Sequence, residues 1–137
     1  WEMCAYAAFL NGREAAKHMV ARQKGSIFFT GATASVRGSS GYAAFASGKF
    51  ALRGLAQSMA RELGPQNIHV AHLVIDAGVD TEFVRERQRQ DGIEPDDLPL
   101  DTLMNPDSIA KAYWDLHHQS RDGWTFELDI RPFAETW

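Results

Sequence analysis

The run Ile68–Ile75, IHVAHLVI, restricts this chain more than any other stretch. It is too short to serve as a buried helix, and it is apolar on both alternating sides except at His69 and His72. A strand with two apolar faces needs cover on both, which is the condition of a strand inside a parallel sheet. Residues 26–30 repeat the theme with Ile27, Phe28 and Phe29, so a second buried strand is expected there. His69 and His72 lie three apart, which in a strand puts them on opposite faces, unable to share one ion. With one cysteine, no HExxH and the neighbouring His117 and His118 pointing apart on a helix, no metal is expected.

Between the two strands lies a loop over 31–40, and then a helix predicted over 41–63 that stops at Gly64 and Pro65, read as a glycine cap followed by a helix breaker. Gly31 and Gly38 give the loop backbone freedom, and Thr33, Ser35, Ser39 and Ser40 give it hydroxyls, which in loops commonly cap turns. One face of the helix reads Tyr42, Phe45, Lys49, Leu52, Ala56, Met59 and Leu63 at spacings of three and four. Lys49 is the member that cannot be buried alone, because an unpaired ammonium in apolar surroundings is costly or loses its proton. Either it has a partner beyond the end of the strand, or its head reaches back to water.

Flanking elements complete an α/β pattern. A helix is expected over 1–23, with Ala5, Phe9, Gly12, Ala16 and Met19 on one side. Residues 82–101 are strongly charged and interrupted by Pro95 and Pro99, which predicts a short exposed helix and then an extended loop. Arg85, Arg87 and Arg89 there have acidic neighbours, which points to surface pairing. Asn105, Pro106 and Asp107 form a helix start with a capping amide, a proline at the first position and a carboxylate at the positive end. Residues 124–130 alternate strictly and predict a strand with one covered face near a sheet edge.

Composition sets the outer bounds. With 137 residues, 45% of them hydrophobic, the chain suffices for one domain that buries about two thirds of its unfolded surface. The net charge of −4, with both signs interspersed, argues against nucleic acid or an anionic membrane as partner. No apolar run approaches the about 20 residues of a membrane span. Cys4, alone, cannot form an internal disulfide, which fits a reducing compartment such as the cytoplasm. It reads as a packed thiol. The opening residues read as the middle of a helix without a cap, and no G-x-G-x-x-G turn follows a strand, so the natural protein is expected to begin earlier.

Strand, small-residue loop and the segment Phe45-Ala46-Ser47-Gly48-Lys49 together resemble the active-site region of the short-chain dehydrogenase/reductase family, whose motif there is Tyr-x-x-x-Lys. The resemblance implies the C-terminal part of a Rossmann-like, doubly wound parallel sheet of about three strands with flanking helices. The half that grips the dinucleotide phosphates would lie upstream. It implies NAD or NADP as cofactor, a small carbonyl or alcohol as substrate, and a homo-oligomer through helices 1–23 and 41–63. It also implies that residues 82–104 form a variable region over the substrate, against the alternative of a solvated excursion. Lys49 would hold the nicotinamide ribose. Gly31 and the turn with Ala77, Val79 and Thr81 would line the cofactor, although Asp76 replaces the family's proline and the segment is one residue longer.

Three family roles are vacant: Phe45 stands for the tyrosine, Ala32 for the serine, and Cys4 falls near the asparagine. A tyrosine of pKa about 10 needs a shift of about three units to serve near neutrality, which a neighbouring ammonium helps to supply, and Phe45 has no proton to shift. Tyr42, one turn earlier, with Thr33 or Ser35, could refill the site; so could Lys49 itself as the acid. Two classes of function therefore stand: an atypical NAD(P)-dependent oxidoreductase, or a binding or assembly subunit that keeps the fold without turnover. Without an upstream neighbour, the strand at 26–30 is expected to leave an open apolar edge that promotes pairing with another chain or aggregation.

Overall fold

Three parallel strands form the centre of the computed structural model, which describes residues 1–135. They are β1 (Gly25–Ala32), β2 (Ile68–Ile75) and β3 (Glu127–Ile130), in the order β1-β2-β3. In register, Gly25 lies beside Ile68 and Ala32 beside Ile75, while His72 lies beside Glu127 and Ile75 beside Ile130. The helices are α1 (Ala7–Arg22), α2 (Ala43–Leu63), α3 (Glu82–Gln90) and α4 (Pro106–His117).

Residue parity along the strands separates two cores. Ile27 and Phe29 of β1 join Ile68 and Val70 of β2 under α1 and α2, where Leu52, Ala56 and Leu63 are buried against them. Residues of opposite parity, Phe28, Ala71, Leu73, Leu128 and Ile130, pack with Ile109 and Leu116 of α4 and with Met104. Helices thus cover both faces, and every β2 residue from Ile68 to Val74 is buried. The all-apolar pattern of this strand and its central place are the same fact.

The structure corrects several expectations. The strand predicted over 26–30 extends to Gly25–Ala32, and the third shortens from 124–130 to Glu127–Ile130. The first helix opens with a wider turn at Glu2–Tyr6 before α1, and Phe9 is exposed rather than buried. Gly64 is not a left-handed cap: its φ is −54°, and a tighter turn at Gly64–Gln66 continues to Asn67, whose φ is 63°. Pro65 forbids the next α-helical hydrogen bond but fits the start of a tighter turn, so the reversal moves three residues on.

The largest correction concerns the stripe on α2. Tyr42 precedes the helix, and Tyr42 and Phe45 are 48% and 43% exposed. Small residues face inward there: Ala46 and Gly48 are buried with Leu52, Ala56 and Leu63. A Cβ on Gly48 would stand 3.0 Å from Cβ of Cys4, so the opening turn crosses α2 too closely for a large side chain. Close approach selects the small face, and the rings turn outward.

The charged stretch folds as expected into short α3 and a loop with one tight turn at Pro95–Asp97. Arg85 pairs with Asp80 and Asp96, and Arg89 with Glu82, Glu86 and Glu94. Asn105 caps α4 by accepting from the Asp107 amide at 2.8 Å. No helix among the described residues is long and apolar enough to cross a membrane.

Candidate functional site

The carboxyl ends of β1 and β2 hold the residues singled out by sequence. Lys49 projects from α2, half-buried, and its Nζ donates to the Thr30 carbonyl at 2.9 Å. The same Nζ lies 5.7 Å from the centre of the Phe45 ring. The ammonium therefore has a backbone acceptor and a π face, which together offset its partial desolvation. It sits by the end of the strand and not in bulk water. On the opposite face Thr30 Oγ1 meets the Tyr113 hydroxyl at 2.6 Å, and burial raises the Tyr113 pKa against the opposing effect of that bond.

The loop after β1 is organised by its hydroxyls. The Ala32 amide donates to Ser35 Oγ at 3.0 Å, and Ser35 is fully buried. Ser35 is thus engaged in closing the turn. Thr33 Oγ1 donates instead to the Asp76 carboxylate. Asp76 is only 5% exposed, and its Oδ2 lies 3.4 Å from Arg131 Nη1 while Arg131 also contacts Asp129. A buried carboxylate needs such partners. Sequence reasoning had Thr33 but missed Asp76 as a group in its own right; its signal was a carboxylate standing where the related pattern has proline.

Gly31, at the end of β1, is buried, and a Cβ there would fall 2.4 Å from His72 Nε2 and 3.0 Å from Ser35 Oγ. The buried neighbour that requires glycine is the His72 ring. Ala77 and Val79 follow in the turn, with Val79 bridged to Met104. Thr81 caps α3, accepting from the Val84 amide at 3.3 Å. Tyr42 stands at the N-cap of α2 with its side chain exposed.

Beneath α2 a second polar group joins helix to edge strand. Arg53 donates through Nε and Nη2 to the two Glu127 oxygens, both at 2.7 Å, and His72 Nδ1 lies 3.0 Å from Glu127 Oε2. A carboxylate oxygen accepts, so Nδ1 carries the ring proton and Nε2 faces Gly31 without one. Burial lowers the His72 pKa, with Glu127 opposing, and the Arg53 hydrogen bonds lower that of Glu127. Among the described residues no group of three or more His, Cys, Asp or Glu could hold a metal ion.

Comparison with known proteins gives this geometry a context. A family model described as short chain dehydrogenase matches residues 3–92. A short-chain dehydrogenase from Rhodopseudomonas palustris is 50% identical, with a TM-score of 0.74 over 97% of this chain and 50% of that one. A 4-hydroxyisoleucine dehydrogenase solved with NADH is 28% identical, with a TM-score of 0.71 over 91% of this chain and 53% of that one. The 3-ketodihydrosphingosine reductase of Bos taurus is 32% identical over 68% of this chain and 28% of its own length. The chain thus spans under a third of that curated relative and about half of the similar solved chains. With the match covering most of its length, the chain belongs to the short-chain dehydrogenase family.

Proposed function

We propose that the protein containing this chain is an NAD(P)-dependent oxidoreductase acting on a small carbonyl or alcohol, with a proton path that does not use position 45. The observation that carries the reading is the Lys49 ammonium fixed at the carboxyl end of β1 by the Thr30 carbonyl. Open α/β sheets bind ligands in the crevice beyond that end. A bound nicotinamide would supply the hydride chemistry. Toward that group Lys49 has one proton committed to Thr30 and two left for ribose hydroxyls. Gly31, Ala77, Val79 and Thr81 line the cofactor side in this reading, and residues 82–104 close over the substrate.

Thr33 takes the polar role that Ala32 cannot. Its own proton is donated to Asp76, so its oxygen keeps lone pairs with which to accept another proton. In alcohol oxidation the substrate hydroxyl gives its proton to the Thr33 oxygen as the Thr33 proton passes to the Asp76 carboxylate, and reduction runs the relay backwards. Tyr42, one turn before Phe45, is the competing donor. We further place the protein in the cytoplasm, as a homo-oligomer joined through helices 1–23 and 41–63, whose outward Tyr6, Phe9 and Phe50 are exposed.

A second reading is favoured by Phe45 itself: its ring, at the position that the resemblance matches to the family's tyrosine, faces the Lys49 ammonium and supplies no acid. There the protein binds cofactor and serves as an assembly subunit. NAD(P)H oxidation by the full-length protein over a carbonyl panel separates the two. Turnover in the parent, reduced at least about a hundredfold by Thr33→Val or by Tyr42→Phe, supports the enzyme and names its donor. Turnover that appears only in Phe45→Tyr supports the silent subunit.

A further inference from the structure

We propose that the amino-terminal edge of the sheet, at the far end of the strands from Lys49, carries a second binding site whose ligand is hydrogen phosphate, free or as a phosphomonoester. A cleft of about 700 Å³ opens there between the end of α1, the first residues of β1 and the segment after α4. Its walls include Arg22, Lys24, Arg121, His69, His117 and Trp124, and no Asp or Glu. The chain carries 18 acidic against 14 basic residues, so a cleft with three cations and no carboxylate runs against the overall balance. Among the described residues none of those three cations pairs with a carboxylate, whereas Arg53, Arg85, Arg89 and Lys111 all do. Arg22 is tethered at the cleft mouth, its Nε donating to the Lys24 carbonyl at 2.9 Å.

The buried member of the wall narrows the ligand class. His69 is 3% exposed, and its Nε2 lies 2.8 Å from the Thr125 carbonyl. A carbonyl only accepts, so Nε2 carries the proton and Nδ1 presents a bare lone pair. That nitrogen is buried and has no hydrogen-bond partner among the described residues. The ring is stacked on Trp124 at 4.9 Å with an interplanar angle of 3°, and the Phe28 ring meets it edge-on at 5.6 Å. The cleft thus sets three cations, which call for anionic oxygens, on the same wall as a ring whose Nδ1 would accept from an O–H donor that reaches it on binding. Hydrogen phosphate has both near neutrality, and so does a phosphomonoester in its monoanionic form. Sulfate has the charge without the proton, and a carboxylate likewise.

Isothermal titration of the full-length protein at neutral pH and constant ionic strength tests this with inorganic phosphate, glycerol phosphate and sulfate. Phosphate is expected to bind saturably and at least about tenfold more tightly than sulfate, with the His69 ring nitrogens shifting in NMR spectra as the site fills. The Lys24→Gln/Arg121→Gln double variant, altered only at exposed side chains, is expected to lose at least about tenfold in phosphate affinity, and Lys111→Gln on the outer face of α4 none. Tighter binding of glycerol phosphate than of phosphate would identify a phosphorylated metabolite, and weaker binding the free ion. No saturable phosphate binding, equal affinity for sulfate, or an unchanged affinity in the double variant would overturn the proposal. Each readout is independent of hydride transfer.

Discussion

Single residues decide how closely the elements approach, and two glycines show it in opposite ways. Gly31 is fixed by the His72 ring, since its Cβ would stand 2.4 Å from Nε2 of a side chain that has no room to retreat. Gly31→Ala is expected to destabilise the fold by about 1–3 kcal/mol, read as a lower urea midpoint with unchanged slope. Gly54, inside α2 and exposed, would meet nothing within 4 Å. There Gly54→Ala is expected to stabilise by about 1 kcal/mol through helix propensity and the unfolded chain, and a fall in the midpoint would contradict that account. Lys49 was legible in the sequence because a lone cation on an apolar helical face demands a partner. Which stripe faces the sheet was not legible: periodicity favours the bulkier residues, while the close approach of Cys4 leaves room only for a residue as small as Gly48. Asp76 was legible as a departure from the related pattern but not as a buried group, since a carboxylate looks like any turn residue until Thr33 and Arg131 come into contact with it.

Elements are joined by charges that the sequence does not pair. The bond between α2 and β3 runs through Arg53, Glu127 and His72, residues 74 and 55 positions apart in the chain. Removing Glu127 leaves a partly buried guanidinium and a buried imidazole N–H without an acceptor. Glu127→Ala is therefore expected to cost about 3 kcal/mol, and Glu127→Gln, which restores an acceptor, distinctly less in the same thermal melt. The signs of the pKa shifts set a pH dependence. The folded state resists protonating His72, whose pKa burial lowers, whereas the unfolded chain takes that proton near pH about 6.5. Its contribution is whole above that value and declines as pH falls toward the lowered one. Glu127, lowered by Arg53, contributes fully above about pH 4.5 and loses its contribution as pH falls from there toward its lowered value. The urea midpoint should hold from pH 8 to 7 and fall in two stages below, and His72→Asn should lack the upper stage. Boundaries set by local chemistry, such as the Asn105 cap and the ends of β2, were readable; those set by long-range pairing, such as the short β3, were not.

At the scale of the molecule, the sheet leaves β1 without a strand partner on its outer side among the described residues, and Phe9 of α1, Phe45 and Phe50 of α2 and Tyr42 just before α2 are exposed. Self-association through the helices predicts that Phe50→Glu lowers the sedimentation mass while leaving the circular dichroism spectrum intact; an unchanged mass would place the contact elsewhere. The class of fold was legible because both strand runs are apolar on both sides, and the family because strand, small-residue loop and the segment from Phe45 to Lys49 together resemble its motif. The central strand has one further consequence. From Ile68 to Val74 β2 is buried, paired with β1 throughout and with β3 from His72 onward, so the amides from His72 to Val74 are expected to meet deuterium only when the whole body opens. Their exchange rate is then a clock for global unfolding, and the outer strands should run ahead of it.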